Sequence, residues 1–295
     1  MPKAKANGLD LEYESFGDKS APAILLIMGL GGQLIHWPDD FCSALAEAGY
    51  RVIRFDNRDV GLSTRLDHLG RPRLLQAGVL GALGLPVRAP YKLNDMAQDA
   101  VSLLDALHIK SAHLVGVSMG GMIAQIIAAK HPERVQSLVL VMTTSGHRSL
   151  PQPSLPVRLR LVQRPEGRDR ESLIRHSMQT WRMIGSPGFP QDDATLRQKV
   201  ERAFDRAHYP RGLARQTLAI IASGSRTPLL GRIKAPTLVI HGKDDPLVRV
   251  AAGPDLAKRI RGAKLEIIEG MGHDLPPMLL PRLANLVLGH VKRAA

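Results

Sequence analysis

Cysteine is nearly absent from this chain. Its 295 residues include a single cysteine, Cys42, so no intramolecular disulfide can form and a fold held by disulfides is excluded. Cys42 lies in a predicted amphipathic helix beside Phe41 and Leu45, which is typical of a buried, unreactive thiol. A reducing compartment is therefore permitted.

Long apolar runs are also missing. The two longest, residues 21–35 and 74–87, contain glycines and are shorter than the roughly 18–20 residues that a membrane span requires. Residues 1–8 are basic but lack the apolar stretch of a secretory signal. We therefore expect no membrane span and a cytoplasmic location.

Acidic residues are outnumbered by basic ones. The chain has 40 Lys and Arg against 27 Asp and Glu, a net charge of +13, and residues 147–232 hold 16 basic and 7 acidic side chains. Such a charge could attract nucleic acid or anionic substrates. Because no nucleic-acid-binding motif accompanies it, a solvated helical surface is the simpler interpretation. We expect no nucleic-acid partner.

Short apolar runs alternate with helical patterns along most of the chain. Asn7-Gly8 favours a hairpin turn between two N-terminal strands. Further strands are predicted at residues 23–28, 51–55, 112–117, 137–142, 237–241 and 265–268. Helices are predicted at residues 41–48, 93–107, 119–130 and 251–260. This alternation predicts an α/β fold with a mostly parallel sheet covered by helices on both faces.

The alternation stops between residues 147 and 232. Four prolines open this stretch, and helical spacing follows. We expect a core domain of residues 1–146 and 233–295, with residues 147–232 inserted as a helical cap over the edge of the sheet where ligands bind. Trp181, Met183 and Phe189 are candidates for the lining of a substrate pocket, although a core position is the simpler interpretation for any one of them.

Ser118 is the candidate nucleophile. It lies in Gly116-Val117-Ser118-Met119-Gly120, a G-x-S-x-G pattern between an apolar strand and a helical run. That setting is typical of a nucleophile elbow, whose tight turn leaves no room for side chains two positions on either side of the serine. The N-terminus of the following helix directs N–H groups and a positive dipole end towards a developing oxyanion.

A serine nucleophile needs a base and a carboxylate that orients the base. Asp244 and Asp245 directly follow the predicted strand 237–241, and His273 lies in a glycine-rich loop after the last predicted strand. His273 is therefore the candidate base, whereas His241 and His290 lie inside regular elements and are interpreted as structural. On the residues alone, either aspartate could be the acid, and Glu269 is a weaker alternative.

The candidate oxyanion hole combines two backbone N–H groups. Residues 28–32 (MGLGG) follow the predicted strand 23–28, and their glycines allow a substrate to approach the backbone closely. We expect the N–H groups of Leu30 and Met119 to form the pair. A plain glycine-rich turn is the alternative for this loop.

These motifs resemble those of the α/β-hydrolase-fold esterases over nearly the whole chain. Residues 116–121 (GVSMGG) are similar to the family's elbow, 241–245 (HGKDD) to its acid loop and 272–273 (GH) to its histidine loop. The resemblance implies that Asp245 is the acid. Residues 56–63 (DNRDVGLS) resemble a structural stretch of the family, with Asp59 in place of a common glycine. Met28-Gly29 replaces the family's usual His-Gly pair.

Both departures are similar to the aclacinomycin methylesterase-like branch of the family. The resemblance implies an α/β-hydrolase fold and a serine hydrolase that cleaves a small-molecule carboxylic ester without a metal or organic cofactor. Residues 74–88 are an insertion relative to that branch. The alternatives are another hydrolytic or perhydrolytic reaction in the same pocket, or a binding protein that has lost turnover.

Overall fold

The structure is a computed structural model that describes residues 2–70 and 72–294. Its strands belong to one sheet of eight strands within these residues. They are β1 Lys3–Ala6, β2 Leu9–Phe16, β3 Ala23–Ile27, β4 Arg51–Phe55, β5 Ala112–Val117, β6 Val135–Val141, β7 Thr237–Gly242 and β8 Lys264–Ile268.

Helices flank the sheet and fill the connections between its strands. The first four are α1 Asp39–Glu47, α2 Leu74–Leu83, α3 Leu93–Ala106 and α4 Met119–Lys130. The segment between β6 and β7 contains α5 Leu155–Val162, α6 Arg170–Ile184, α7 Asp193–Arg206, α8 Pro210–Ser223 and α9 Thr227–Leu230. The last two are α10 Ala252–Arg259 and α11 Leu280–Ala294.

The strand order is β1-β2-β4-β3-β5-β6-β7-β8. β1 and β2 form an antiparallel hairpin through Asn7 and Gly8, both with positive φ, and β2 pairs antiparallel with β4. All other pairs are parallel. The α/β-hydrolase fold class that the sequence predicts is confirmed.

The central strands are apolar because helices cover both faces of the sheet. Every residue of β3, β4 and β5 is buried. α3 and α4 pack on one face of the sheet, and α1 and α11 pack on the other. Cys42 is buried in α1, and burial raises the pKa of its thiol to about 12, so the thiol is unreactive as predicted.

The parallel strands bring several loops to one edge of the sheet. The loops after β3, β5, β7 and β8 all leave from the C-terminal ends of neighbouring strands, where α/β folds bind ligands. The five-helix segment α5–α9 also begins there, after β6. Within residues 2–70 and 72–294, no helix is long and apolar enough to cross a bilayer.

Candidate active site

Ser118 lies at the sharp turn between β5 and α4. Its backbone has φ 54° and ψ −118°, a conformation that residues other than glycine rarely adopt. The turn is tight because a Cβ at Gly120 would overlap the Ile27 carbonyl, and one at Gly116 would overlap the backbone of Gly120. The Ser118 N–H donates to the Val141 carbonyl at 3.0 Å, which ties the turn to β6. The local geometry is therefore that of a nucleophile elbow.

Three side chains from different loops form one hydrogen-bonded chain. His273 Nε2 lies 3.0 Å from Ser118 Oγ, and His273 Nδ1 lies 2.7 Å from Asp245 Oδ2. Because an ionised carboxylate only accepts, Nδ1 carries the proton and Nε2 is free to accept from the serine hydroxyl. The arrangement can remove a proton from Ser118 and stabilise the imidazolium that results.

The two candidate aspartates have different surroundings. Asp245 is buried, and its Oδ1 accepts from the N–H groups of Leu247 and Val248 at 2.9 and 2.8 Å. Asp244 is exposed, and its carboxylate accepts from the Gly270 N–H at 2.9 Å. Only Asp245 contacts the imidazole.

His241 lies close to this chain without belonging to it. Its Nε2 donates to the Val248 carbonyl at 2.8 Å and lies 3.8 Å from Asp245 Oδ2. Burial lowers the pKa of His241 below its usual value, so the ring is neutral beside the carboxylate. His290 also contacts backbone, with Nε2 3.1 Å from the Pro236 carbonyl. Both histidines have the structural environment that the sequence indicates.

The loop after β3 passes directly beside Ser118. A Cβ at Gly29 would lie 3.2 Å from Ser118 Cβ and 3.7 Å from Ser118 Oγ, so the next residue in the chain, Leu30, is also close to the serine. No hydrogen bond from the N–H of Leu30 or Met119 occurs among the described residues. The pairing of the Leu30 and Met119 N–H groups as an oxyanion hole stays a prediction.

Comparisons with known proteins agree with this geometry. A model of the family described as the alpha/beta hydrolase fold matches residues 22–276. The chain belongs to this family. Rhodomycin D methylesterase DauP from Streptomyces sp. (strain C5) is 31% identical over 301 residues, which cover 95% of this chain and 94% of the relative.

Two further relatives are similar over nearly their full lengths. Rhodomycin D methylesterase DnrP from Streptomyces peucetius is 30% identical, with 95% of this chain and 94% of the relative covered. The crystal structure of the enol-lactonase from Burkholderia xenovorans LB400 has a TM-score of 0.76 at 25% identity, and the match covers 99% of this chain and 100% of that one. The predicted resemblance to the methylesterase-like branch is confirmed.

Trp181, one of the three candidates for pocket lining in this α/β-hydrolase, lies in the last turn of α6. It precedes Ile184 by one helical turn, and the Ile184 carbonyl accepts from the His273 N–H at 2.7 Å. The Trp181 ring stacks on His36 at 5.9 Å between centroids, and Lys199 Nζ lies 4.2 Å from its centre. Burial, with Lys199 nearby, lowers the pKa of His36 to about 4.

The other two candidates have different environments. Phe189 packs half-buried against the core, and Met183 is exposed on α6. No contact with Ser118 distinguishes either of them in the described part of the chain. The assignment of Trp181, Met183 and Phe189 to the substrate pocket stays a prediction.

Sequence reasoning missed the residues that hold the β3 loop in place. Gln216 of α8 is fully buried, and its Oε1 accepts from the Gly31 N–H at 2.9 Å while its Nε2 donates to the Arg58 carbonyl at 2.7 Å. Asn57 Nδ2 donates to the Met28 carbonyl at 3.0 Å. Gln216 lies in no pattern that singles it out, and Asn57 lies in the stretch 56–63, for which the sequence indicates a structural role but no partner. The partner of each residue is a backbone group far away in sequence.

The structure gives a physical reason for Asp59, which replaces a glycine common in the family. Asp59 is buried with φ 65°, and its carboxylate pairs with both Arg215 Nε and Nη2 at 2.8 Å. Tyr91 donates its hydroxyl to the same carboxylate at 2.9 Å. Asp59 therefore adopts a left-handed backbone conformation that glycine adopts more readily, and its carboxylate forms the ion pair with Arg215 that holds α8 against the core.

Proposed function

We propose that this α/β-hydrolase cleaves carboxylic esters, with Ser118 as nucleophile, His273 as general base and Asp245 as the acid that orients it. The observation that carries the proposal is the unbroken chain from Ser118 Oγ through His273 to the buried Asp245 carboxylate. A serine at a strained helix N-terminus, in contact with an imidazole that can take its proton, is suited to attack a carbonyl carbon.

The reaction proceeds in two half-reactions. Ser118 Oγ bonds to the ester carbonyl carbon while His273 Nε2 takes the hydroxyl proton, and the Leu30 and Met119 N–H groups bind the oxyanion. The C–O bond to the alcohol then breaks, and His273 returns the proton to the leaving oxygen. Water attacks the acyl-enzyme by the same steps, which releases the carboxylic acid and restores Ser118.

We propose further that residues 147–232 act as a cap over this site. Three contacts support this: the Ile184 carbonyl accepts from the His273 N–H, Gln216 holds Gly31, and Arg215 pairs with Asp59. The cap thus touches both the histidine loop and the loop with the proposed oxyanion donor. Trp181 and its neighbour Lys199 belong to this cap and are the candidates for contact with the acyl or alcohol group.

The similarity to two methylesterases makes a small-molecule ester with a small alcohol group the leading substrate class. A cyclic ester is the second candidate, because the similar enol-lactonase acts on one and the same triad chemistry opens a lactone ring. In a lactone the leaving alcohol stays attached to the acyl group, so the products differ while the catalytic groups do not.

Steady-state hydrolysis of p-nitrophenyl esters of increasing acyl length, of simple methyl esters and of lactones tests the proposal. The wild-type protein should turn over at least one of these classes, and Ser118→Ala should lower kcat by roughly 10⁴–10⁶-fold while the protein stays folded. Turnover by Ser118→Ala above about a tenth of the wild-type rate would remove Ser118 from the mechanism.

A further inference from the structure

Helix α2 presents an apolar stripe to solvent. Leu75, Val79 and Leu83 follow one another at four-residue spacing, so they lie on one side of the helix, and each is between 61% and 87% exposed. The opposite side, with Ala77 and Leu80, packs against α8. Helix α2 is therefore apolar on both sides, with one side covered by α8 and the other exposed to solvent.

Helix α5 presents a second stripe of the same kind. Leu155, Leu159 and Val162 share one side of the helix and are between 60% and 72% exposed. The buried Val157 and Arg160 lie on the other side, where Arg160 Nε donates to Thr180 Oγ1 of α6. Exposed apolar side chains are common singly, but two aligned rows of three are not.

The two stripes belong to the same region of the molecule. The guanidinium of Arg148 packs directly against Gly84, at the C-terminal end of α2, and α5 begins seven residues after Arg148. α2 lies in the connection that leaves the C-terminal end of β4, and α5 in the one that leaves β6. Both connections start from the edge of the sheet where Ser118 and His273 lie.

The charge around the stripes has one sign. Residues 72–94 contain Arg73, Arg88 and Lys92 and no acidic residue, and residues 147–165 contain four arginines and no acidic residue. Arg73 and Arg88 line one cleft of about 420 Å³ beside α2. Arg158 and Arg164 are exposed at α5 and form no ion pair within residues 2–70 and 72–294.

We propose that α2 and α5 together dock this protein on the surface of an anionic lipid bilayer. Exposed leucine and valine side chains enter the boundary between headgroups and acyl chains, and the flanking arginines bind the acidic headgroups, as in other interfacial helices. A second copy of the chain fits this face poorly, because it would bring the arginines of both copies together. The surface is independent of the proposed chemistry at Ser118.

Co-sedimentation with lipid vesicles tests the proposal. The wild-type protein should bind vesicles of phosphatidylcholine with about 30% phosphatidylglycerol, bind vesicles of phosphatidylcholine alone at least about tenfold more weakly, and lose most binding between about 0.05 M and 0.5 M salt. The variant Leu75→Gln/Val79→Gln/Leu83→Gln should bind anionic vesicles at least about fivefold more weakly at unchanged thermal stability.

Matched variants separate this face from general effects of charge and apolar surface. Arg158→Gln/Arg164→Gln should weaken vesicle binding, whereas Lys258→Gln/Arg261→Gln, which removes the same charge from exposed positions at α10, should change it less than about twofold. Leu265→Gln, at an exposed leucine on the edge strand β8, should also bind like wild type. Thermal unfolding and circular dichroism verify that each variant is folded.

Three results would overturn the proposal. The first is that wild type fails to bind anionic vesicles at low salt, and the second is that the triple variant binds them as wild type does. The third is that sedimentation velocity finds a wild-type dimer that the triple variant converts to a monomer, because the face would then bind a second copy.

Discussion

Asp244 and Asp245 are neighbours in the chain, yet only Asp245 is withdrawn from solvent and in contact with His273. Asp245→Asn should lower kcat by roughly 10⁴-fold, because an amide favours the wrong imidazole tautomer and does not stabilise its cation. Asp244→Asn should change kcat less than about tenfold, since the Gly270 N–H can still donate to an amide oxygen. Steady-state kinetics with both variants would show the opposite order if the acid loop were assigned one residue out of register.

His113 is buried in β5, where Nδ1 lies 2.8 Å from Ser137 Oγ and the Tyr50 ring meets the imidazole edge-on. Burial lowers its pKa from 6.5 to about 4. Between these two values the unfolded chain binds a proton that the folded protein does not, so the free energy of unfolding should rise with pH from about 4 to 6.5. The contribution of His113 to that rise is about 3 kcal/mol.

Urea unfolding at several pH values between 4.5 and 7 measures this slope. His113→Asn should lower this slope, whatever the variant's absolute stability, and a smaller slope should remain from His36 and His241, whose pKa values burial also lowers. The control is His108→Asn, at an exposed position with φ 56° that asparagine tolerates well, and it should keep the wild-type slope. An equal slope in wild type and His113→Asn would show that His113 is not the group responsible.

The residues of the candidate site differ in how far the sequence predicts them. Ser118 and His273 follow strands and lie among glycines, which singles them out, whereas the choice of Asp245 over Asp244 depends on the resemblance to the family's acid loop. Gln216 and Arg215 do not follow any pattern. A helix with several polar residues, such as α8, does not show from its sequence which of them point towards the core. Their partners, the Gly31 N–H and the Asp59 carboxylate, are known only once α8 is packed against the loops after β3 and β4.

At the level of elements, α8 contacts the loop with the proposed oxyanion donor. Gln216→Leu would leave the Gly31 N–H without its acceptor, so the loop that includes Leu30 should shift. Because a displacement of about 1 Å in a positioned catalytic group costs up to roughly 10²-fold in rate, we expect kcat to fall by about 10–100-fold while KM changes less than about threefold.

Thr217→Val is the matched control on the same helix. Thr217 Oγ1 donates only to the Leu213 carbonyl one turn earlier, so this variant should keep wild-type kcat. Affinity for a boronic acid, which mimics the tetrahedral intermediate, should fall in Gln216→Leu alone. A purely structural role for Gln216 would instead lower thermal stability with no change in kcat at temperatures where the variant is folded.

The sheet is more predictable from sequence than the segment α5–α9. Strands such as Arg51–Phe55 and Thr237–Gly242 are short runs buried on both faces, and their predicted bounds lie within two residues of the observed ones. The helical spacing of residues 147–232 predicts helices but not how they pack. That packing depends on single buried pairs, such as Arg215 with Asp59, whose two members lie 156 residues apart.

Over the whole molecule, most of the net charge of +13 lies in residues 147–232, and basic side chains of this segment also form ion pairs. Arg170 pairs with Asp205 at 2.7 Å, Arg182 with Asp193 at 2.6 Å and Arg197 with Glu171, all exposed on the helices between β6 and β7. Local pairs of this kind weaken any electrostatic field at the site.

A cytoplasmic location stays a prediction.

We therefore expect the charge of these helices to have little influence on small substrates. Between about 0.01 M and 1 M salt the Debye length falls from roughly 30 Å to 3 Å, so steering of an anionic ester would be lost. kcat/KM should respond equally to salt for a negatively charged ester and for a neutral ester of the same size. A selective fall for the anionic ester would show that these arginines attract substrate.

The central claim, that His273 activates Ser118 as a nucleophile, is tested most directly by covalent labelling. A fluorophosphonate should form one adduct per chain, and peptide mass spectrometry should locate it on Ser118. Ser118→Ala should not react, and His273→Ala should react at least about 10²-fold more slowly, because the base is missing. An adduct on another residue, or wild-type labelling rates in His273→Ala, would contradict the account.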